Sequence, residues 1–116
     1  MGKEDCIFCR IIKKDIPSKV VFEDPLVLAF EDVKAQAPVH ILVIPKEHIE
    51  KVSDLTEQNA GLVGHLVITA KKLAEERGLR DAGYRMVLNC GKDAGQAVFH
   101  VHLHLLGGRK FSWPPG

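Results

Sequence analysis

The chain has 116 residues, of which 46% are hydrophobic and 27% charged, and its formal net charge is +1. These values are typical of a soluble protein with one domain over residues 1–116, and the near balance of charge argues against nucleic-acid binding through phosphate neutralisation. No apolar run is long enough to span a membrane, and the N-terminus lacks the apolar region of a signal peptide. We therefore expect a cytoplasmic protein that binds neither membranes nor nucleic acid.

The first predicted element is a short helix over residues 6–13. Asp5 is a suitable N-cap residue, and the sequence after residue 15 contains a proline that ends the helix. The apolar residues of this segment recur at helical spacing, at Ile7, Phe8, Ile11 and Ile12.

Two cysteines of this helix, Cys6 and Cys9, have the C-x-x-C spacing that supplies two ligands of a tetrahedral zinc site. Cys90 is the third cysteine, and an odd number without a secretion signal argues against a disulfide framework. A redox pair is a weaker interpretation, because no thioredoxin-like order of strands and helices surrounds the motif. A pair of unliganded thiols is the simplest alternative.

Three strands are predicted next. Residues 20–23 and 27–30 are short apolar runs separated by Asp24 and Pro25, which predicts a hairpin. Residues 40–44 form a nearly continuous apolar run that ends at Pro45, which is typical of a central strand buried on both faces.

A long helix is predicted over residues 56–77. Asp54 or Thr56 can cap its start, and Gly78 suits the position just after its end. His65 lies beside the apolar stripe, so we expect a surface histidine or one with a satisfied hydrogen bond. The stripe consists of Leu62, Val63, Leu66, Val67, Ala70, Leu73 and Ala74.

The C-terminal part is predicted to contain a strand over residues 84–89, a polar loop over residues 90–96 and a strand of alternating histidines. Together these elements predict an α+β fold, in which an antiparallel sheet of about five strands carries one long helix on one face and a short N-terminal helix.

The alternating histidines are the most informative feature of the sequence. Side chains alternate between the two faces of a strand, so His100, His102 and His104 share one face, with rings about 7 Å apart. The other face carries Phe99, Val101, Leu103 and Leu105, which we expect to face the core. A row of this kind can bind a metal ion, hold an anion or supply a nucleophile with supporting donors.

The loop before this row is suited to a phosphate group. Glycines allow backbone N–H groups to approach an anion closely, so Gly91, Gly95 and Gln96 are candidate donors. A neutral imidazole is a competent nucleophile near pH 7, and flanking donors would stabilise charge on phosphoryl oxygens. The sequence contains neither a P-loop nor a serine nucleophile elbow.

The histidine pattern at residues 100–106, together with the Trp-Pro-Pro-Gly end at residues 113–116, resembles the histidine triad (HIT) superfamily, Hint-like branch. That branch comprises nucleoside phosphoramidases and related nucleotide-binding hydrolases. The resemblance implies a bacterial HIT family hydrolase that acts as a purine nucleoside 5′-phosphoramidase through a nucleotidyl-histidine intermediate.

The resemblance also assigns roles to individual residues. It makes His102 the nucleophile, His104 a phosphate contact and His40 a support for the triad from the neighbouring strand. It places Asp32 at the ribose hydroxyls, and Asn89, Gly95 and Gln96 in the phosphate loop. The implied purine slot, whose members can equally be core residues, consists of Ile7, Phe8, Ile11, Phe30 and Val33.

Two features set this chain apart within the resemblance. Ala97 stands where many relatives carry Ser or Thr, a hydroxyl that helps the leaving group, so we expect lower phosphoramidase activity. Some bacterial relatives carry a similar cysteine pair and bind zinc, which implies a structural Zn²⁺ held by Cys6, Cys9, His48 and His100 and not required for the chemistry. The family also forms homodimers through the 84–89 region and the long helices, and its C-terminal tail reaches toward the partner's site.

Three alternatives remain open at the level of sequence. The protein could hydrolyse dinucleoside polyphosphates, or bind nucleotides in a regulatory role with incidental hydrolysis. The whole histidine row could also bind one catalytic metal ion.

Overall fold

The computed structural model describes residues 5–116, in which five strands form one antiparallel sheet. In chain order the elements are α1 (Ile7–Ile12), β1 (Val20–Glu23), β2 (Val27–Glu31), β3 (Val39–Pro45), α2 (Ala60–Glu76), β4 (Tyr84–Val87) and β5 (Leu103–Gly107). Short 3₁₀ turns occupy Val52–Asp54, Glu57–Asn59 and Lys92–Ala94. The strand order β1-β2-β3-β5-β4 and the two helices confirm the predicted α+β architecture.

The sheet has a separate apolar cluster on each face. Successive residues of β3 alternate between them: Ile41 and Val43 pack under α2, whereas Leu42 and Ile44 pack with α1. This alternation confirms that β3 is buried on both faces, as its continuous apolar run predicts.

The ends of α2 are held by specific backbone bonds. Thr56 and Asn59 form a capping box around the 3₁₀ turn that precedes the helix, so the regular helix begins later than the predicted residue 56. At the other end Gly78 has φ +73°, and the N–H groups of Gly78 and Leu79 donate to the carbonyls of Glu75 and Ala74. This pattern is a Schellman motif and confirms the predicted role of Gly78.

Two details of the helix predictions were wrong. α1 is capped by Cys6, whose Sγ accepts from the N–H of Cys9 at 3.4 Å, because the helix begins one residue later than Asp5 would require. In α2, Val67 is exposed, and the polar Thr69 is buried in the face that packs on the sheet. None of the helices within residues 5–116 has the length and apolar character needed to cross a membrane.

The histidine strand is shorter than predicted. β5 begins at Leu103, so His100 and His102 lie in an irregular segment just before it. Pro45 ends β3 and has no N–H to donate to a longer ladder, and the N–H of Val101 donates instead to the carbonyl of Ile49 at 2.7 Å. β4 likewise ends at Val87, two residues before the predicted boundary.

The alternation of faces nevertheless extends through this irregular segment. Val101, Leu103 and Leu105 are buried in the cluster under α2, whereas the rings of His100 and His102 contact Phe8 of α1 on the opposite face. Phe99 is half-buried and belongs to neither cluster, so its predicted place in the core was wrong.

Candidate active site and metal site

A cavity of about 570 Å³ opens on the α1 face of the sheet. Most of its wall is apolar, and two imidazoles and a carboxylate converge on it from His102, His104 and Asp32. Apolar walls with a few convergent polar groups are typical of small-molecule sites. The cavity gathers most of the predicted nucleotide-site residues, namely Ile7, Phe8, Ile11, Phe30, Asp32, Val33, Ala97, His102 and His104.

The aromatic part of the wall is formed by Phe8 from α1 and Phe30 from β2. Their rings meet edge to face, with centroids 5.5 Å apart. Val33 is 95% exposed, so it lies at the mouth of the cavity and not in its depth. The space between α1 and the end of β2 is therefore lined by flat apolar groups, which suit a heteroaromatic base.

The hydrogen bond of His102 determines which of its ring nitrogens carries the proton. Its Nδ1 lies 2.7 Å from the carbonyl oxygen of His100, which can only accept, so Nδ1 donates. Burial lowers the pKa of His102, although the His100 carbonyl and the Asp32 charge oppose this effect, so the ring is neutral near pH 7. Nε2 therefore has a free lone pair, as a nucleophile requires.

A second chain of hydrogen bonds determines the tautomer of His104. The N–H of Gln36 donates to Nδ1 of His40 at 3.0 Å, so the proton of His40 resides on Nε2. That Nε2 lies 2.9 Å from Nδ1 of His104 and 3.3 Å from the Asp32 carboxylate. Nδ1 of His104 thus accepts, and its Nε2 carries the proton.

His104 is neutral under the same conditions. Burial, with the neighbouring His102 and His40, lowers its pKa to about 4 against the opposing charge of Asp32. The ring centroids of His102 and His104 are 5.0 Å apart. The site therefore pairs an unprotonated nitrogen with an N–H donor, an arrangement that can attack phosphorus and stabilise charge on its oxygens.

His100 belongs to a different group of side chains. Its Nε2 donates to the carbonyl of Pro45 at 2.8 Å, so its Nδ1 has a lone pair. That atom lies 3.4 Å from Sγ of Cys6, 3.6 Å from Sγ of Cys9 and 3.2 Å from Nδ1 of His48. Burial lowers the pKa of His100 to about 4, which keeps this nitrogen unprotonated.

The four residues fit a tetrahedral zinc ion. The usual Zn–N and Zn–S bond lengths require ligand atoms about 3.3 to 3.8 Å apart. The measured separations of 3.2 to 3.6 Å, including 3.2 Å between Sγ of Cys9 and Nδ1 of His48, are close to this range. The cluster of Cys6, Cys9, His48 and His100 could therefore hold a metal ion.

The three histidines of the row do not converge on one metal position. Nδ1 of His100 faces the cysteines, Nδ1 of His102 donates to a carbonyl, and Nδ1 of His104 accepts from His40. Asp32, His40 and His104 also lie close enough to hold a cation, but Nε2 of His40 already donates toward the other two residues at that position. This geometry weighs against the interpretation of the row as one catalytic metal site.

Hydrogen bonds of the Gln96 side chain hold the polar loop over residues 90–96, which is the predicted phosphate loop. Its Oε1 accepts from the N–H of Gly91 at 2.8 Å, and its Nε2 donates to the carbonyls of Glu50 and Val98. The N–H groups of Gly95 and Gln96 donate to carbonyls within the loop. Asn89, Gly95 and Gln96 do not line the cavity, so their predicted contact with phosphate stays a prediction.

Sequence reasoning missed one part of the site. The sequence predicts only a helix break after α1, yet this segment contributes to the cavity wall through Ile16, Pro17, Ser18 and Lys19. The only signal was the apolar Ile-Pro pair in an otherwise polar loop.

His65 lies outside the site. Its Nε2 lies 2.6 Å from the Asp24 carboxylate, which confirms the prediction that its hydrogen bond is satisfied.

Comparison with known proteins identifies the family of the chain. The family model described as the HIT domain matches residues 13–111. An uncharacterized HIT-like protein of Synechocystis sp. is 52% identical over 113 residues, which cover 97% of this chain and 98% of the relative.

Two solved structures show the same similarity. A HIT family hydrolase from Legionella pneumophila is 50% identical with a TM-score of 0.95, and the match covers 97% of this chain and all of the other. A HIT family hydrolase from Clostridium thermocellum is 48% identical with a TM-score of 0.91, over 94% and 95% of the two chains. The chain, whose histidine pattern and fold agree with these matches, belongs to the HIT domain family.

Proposed function

We propose that this protein is a nucleotide hydrolase, and specifically a purine nucleoside 5′-phosphoramidase. One observation carries the proposal: the hydrogen bonds leave Nε2 of His102 unprotonated and Nε2 of His104 protonated, at the polar end of an apolar cavity. An electrophilic phosphorus between these rings would meet a nucleophile and an oxygen-binding donor together. The hydrolase names of the structural relatives support the same class of reaction.

The first step would form a bond between Nε2 of His102 and the α-phosphorus and break the bond from phosphorus to the leaving amine. Positive charge develops on the His102 ring, and the His100 carbonyl stabilises it through the Nδ1 proton. The Nε2–H group of His104 would donate to a non-bridging oxygen. The amine departs with a proton taken from water, because Ala97 offers no hydroxyl.

The second step would return the enzyme to its starting state. Water attacks phosphorus, the bond to His102 breaks, and a nucleoside monophosphate and a proton are released. The Nε2 atom of His102 regains its lone pair, and the Nδ1 proton stays on the ring, where it donates to the His100 carbonyl throughout.

The cavity supports a purine nucleoside as the rest of the substrate. Phe8 and Phe30 offer apolar faces for a base, and the Asp32 carboxylate, which lines the cavity, would accept hydrogen bonds from ribose hydroxyls. Oδ1 of Asp32 also accepts from the N–H of Lys34 at 2.8 Å, which holds the carboxylate in place.

We propose that the ion of the Cys₂His₂ cluster is Zn²⁺ and that its role is structural. When bound, the ion cross-links α1 to the segment that carries His100, and no chemical step uses it. Purified protein is expected to contain about one zinc per chain, and Cys9→Ser is expected to lose it. A substoichiometric content that Cys9→Ser does not reduce would rule out this site.

The decisive experiment is a substrate panel of nucleoside phosphoramidates and dinucleoside polyphosphates. We expect turnover of adenosine or guanosine phosphoramidate, a loss of at least about 10⁴-fold in His102→Ala and wild-type rates in the matched variant His65→Ala. Rapid quenching and mass spectrometry should find the nucleotidyl group on His102.

Three other results of this experiment would contradict the proposal and favour another function. Preferential cleavage of dinucleoside polyphosphates would indicate that branch of hydrolases. Micromolar nucleotide binding without turnover would indicate a regulatory module, and loss of turnover on chelation with retained folding would indicate metal-dependent chemistry.

We also propose a cytoplasmic homodimer. β4 is an edge strand of the sheet and is free to pair with another chain. Large apolar side chains are exposed just after β4, at Leu88, on α2, at Val67 and Ile68, and in the C-terminal tail, at Trp113. Size-exclusion chromatography with light scattering should give about twice the chain mass, whereas a monomer at micromolar concentration would contradict the proposal.

A further inference from the structure

The helix α1 takes part in two sites at once. Cys6, the N-cap residue, and Cys9, in the first turn, belong to the metal cluster, while Ile7, Phe8 and Ile11 form one wall of the cavity. The helix has only six residues, and a helix of this length has little stability of its own. Its position therefore depends on the tertiary contacts that its side chains make.

Phe8 connects the two sites directly. Its ring meets the ring of the metal-cluster residue His100 at a centroid distance of 5.9 Å and the ring of His102 at 5.2 Å, both edge to face. The same ring packs against Phe30 across the cavity. A shift of α1 would therefore change the shape of the base slot and the packing of His102 together.

His100 provides a second connection. Its imidazole belongs to the metal cluster, and its carbonyl oxygen accepts the Nδ1 proton of His102. A rearrangement of His100 that alters this bond would release the nucleophile from its tautomer and orientation.

The four side chains of the metal cluster would hold α1 less tightly without an ion. The cluster brings two thiols and two imidazoles together in a largely buried space, with the Nδ1 atoms of His48 and His100 only 3.2 Å apart. An ion bonded to all four ligand atoms would hold α1 and His100 together, whereas the thiols and imidazoles alone are joined only by weak hydrogen bonds. The cluster is therefore looser without the ion.

We propose that metal binding at Cys6, Cys9, His48 and His100 is thermodynamically coupled to nucleotide binding in the cavity, through Phe8 and the His100 backbone. This coupling rests on the proposed nucleotide-binding function and extends it to regulation by metal occupancy. Coupling between sites is reciprocal: zinc raises nucleotide affinity by the same factor by which the nucleotide raises zinc affinity.

Equilibrium binding tests both directions without an activity assay. Calorimetry with AMP and GMP on zinc-loaded and metal-free protein gives one factor, and competition with a chromogenic chelator, with and without saturating AMP, gives the other. We expect both factors to be equal and at least about fivefold. Nucleotide dissociation constants within twofold of each other in the two forms would overturn the coupling.

Matched variants of α1 test whether Phe8 connects the metal cluster to the cavity. Phe8→Leu keeps an apolar side chain but loses the ring contacts, so it should bind zinc normally and reduce the coupling factor to below about twofold. Ile12→Leu changes a residue of the same helix that does not line the cavity, and it should keep the wild-type factor. Equal factors in Phe8→Leu and Ile12→Leu would exclude Phe8 as the connection.

The results also separate this inference from the function on which it rests. Equal nucleotide affinity in both metal states would reject the coupling and leave the proposed function intact. If neither form binds AMP or GMP, the proposed function is wrong and the coupling is rejected with it.

Discussion

Main-chain groups decide the chemistry of the individual histidines. The carbonyls of His100 and Pro45 and the N–H of Gln36 each bond one ring nitrogen and so assign the proton to one side of the ring. As a result, three histidines at equal sequence spacing differ in their ring nitrogens: Nε2 is unprotonated in His102 and protonated in His104, and Nδ1 of His100 has a lone pair that faces the cysteines. Identical residue types acquire different protonation patterns because each has different hydrogen-bond partners.

Ala97 has no hydroxyl to protonate the leaving amine, so we expect departure of the amine to be slow. Ala97→Ser should raise the turnover of an adenosine phosphoramidate by about tenfold or more, because a hydroxyl at the wall of the cavity can protonate the leaving group. Ala97→Thr and Ala97→Val form a pair of equal size that differs in the hydroxyl. Equal turnover in that pair, and no gain in Ala97→Ser, would contradict this role.

His104 should make stability depend on pH. Its pKa is lowered from an ordinary value of 6.5 to about 4, so in this interval the unfolded chain binds a proton that the folded chain does not. The free energy of unfolding should therefore fall as the pH is lowered from 6.5 to 4. Partial solvent exposure of the ring limits this contribution to about 1–2 kcal/mol.

Chemical denaturation of His104→Gln and wild type at the same zinc concentration measures that contribution. The variant should lose less stability over the interval than the wild type, because it lacks the titrating ring. Parallel losses in the two proteins would show that His104 does not contribute.

At the scale of elements, local sequence signals identified the helices and strands but placed several boundaries wrongly. The apolar run of β3 and the glycine after α2 identify their elements correctly, since burial and left-handed backbone are local requirements. The histidine strand begins late, although β3 continues for two residues past Val43, the partner of Leu103. Pro45 has no N–H to donate to a longer ladder, and the N–H of Val101 donates to Ile49 instead. A boundary set by residues of a distant segment is not visible in a local pattern.

The end of α2 offers a test at this scale. Gly78→Ala should reduce the free energy of unfolding by about 1 kcal/mol, because φ +73° is unfavourable for a residue with a Cβ atom even though open space surrounds it. Gly61→Ala is the matched control: Gly61 is in α2 and also has open space around its Cβ position, so this change should be neutral or slightly stabilising. Equal effects of the two substitutions would contradict the role of the Schellman motif.

At the scale of the whole molecule, the metal cluster joins parts of the chain that are remote in sequence. Cys6 and His100 are 94 residues apart, and the cluster connects α1 with the segments that follow β3 and precede β5. An ion that binds only the folded chain stabilises it in proportion to its affinity and concentration. We therefore expect metal binding at this cluster to stabilise the entire fold.

Removal of zinc by a chelator should lower the unfolding temperature by about 10 °C, from the stabilisation expected at zinc concentrations about 100 times the dissociation constant. Cys90→Ser lies outside the cluster and should show the same decrease. Cys9→Ser should unfold at a temperature that the chelator does not change. A wild-type protein that is equally insensitive would contradict metal binding.

The sequence by itself determined the kinds of elements, the two faces of the histidine segment and the membership of the family. These features follow from residue periodicity, turn residues and a continuous motif, which are all short-range properties. Only the tertiary structure decided which nitrogen of each histidine carries a proton, that Gln96 holds its own loop, and that Cys6 and Cys9 meet His48 and His100. These features depend on side chains and backbone groups from distant segments, because hydrogen bonds and ligand geometry are set by distances that only folding creates.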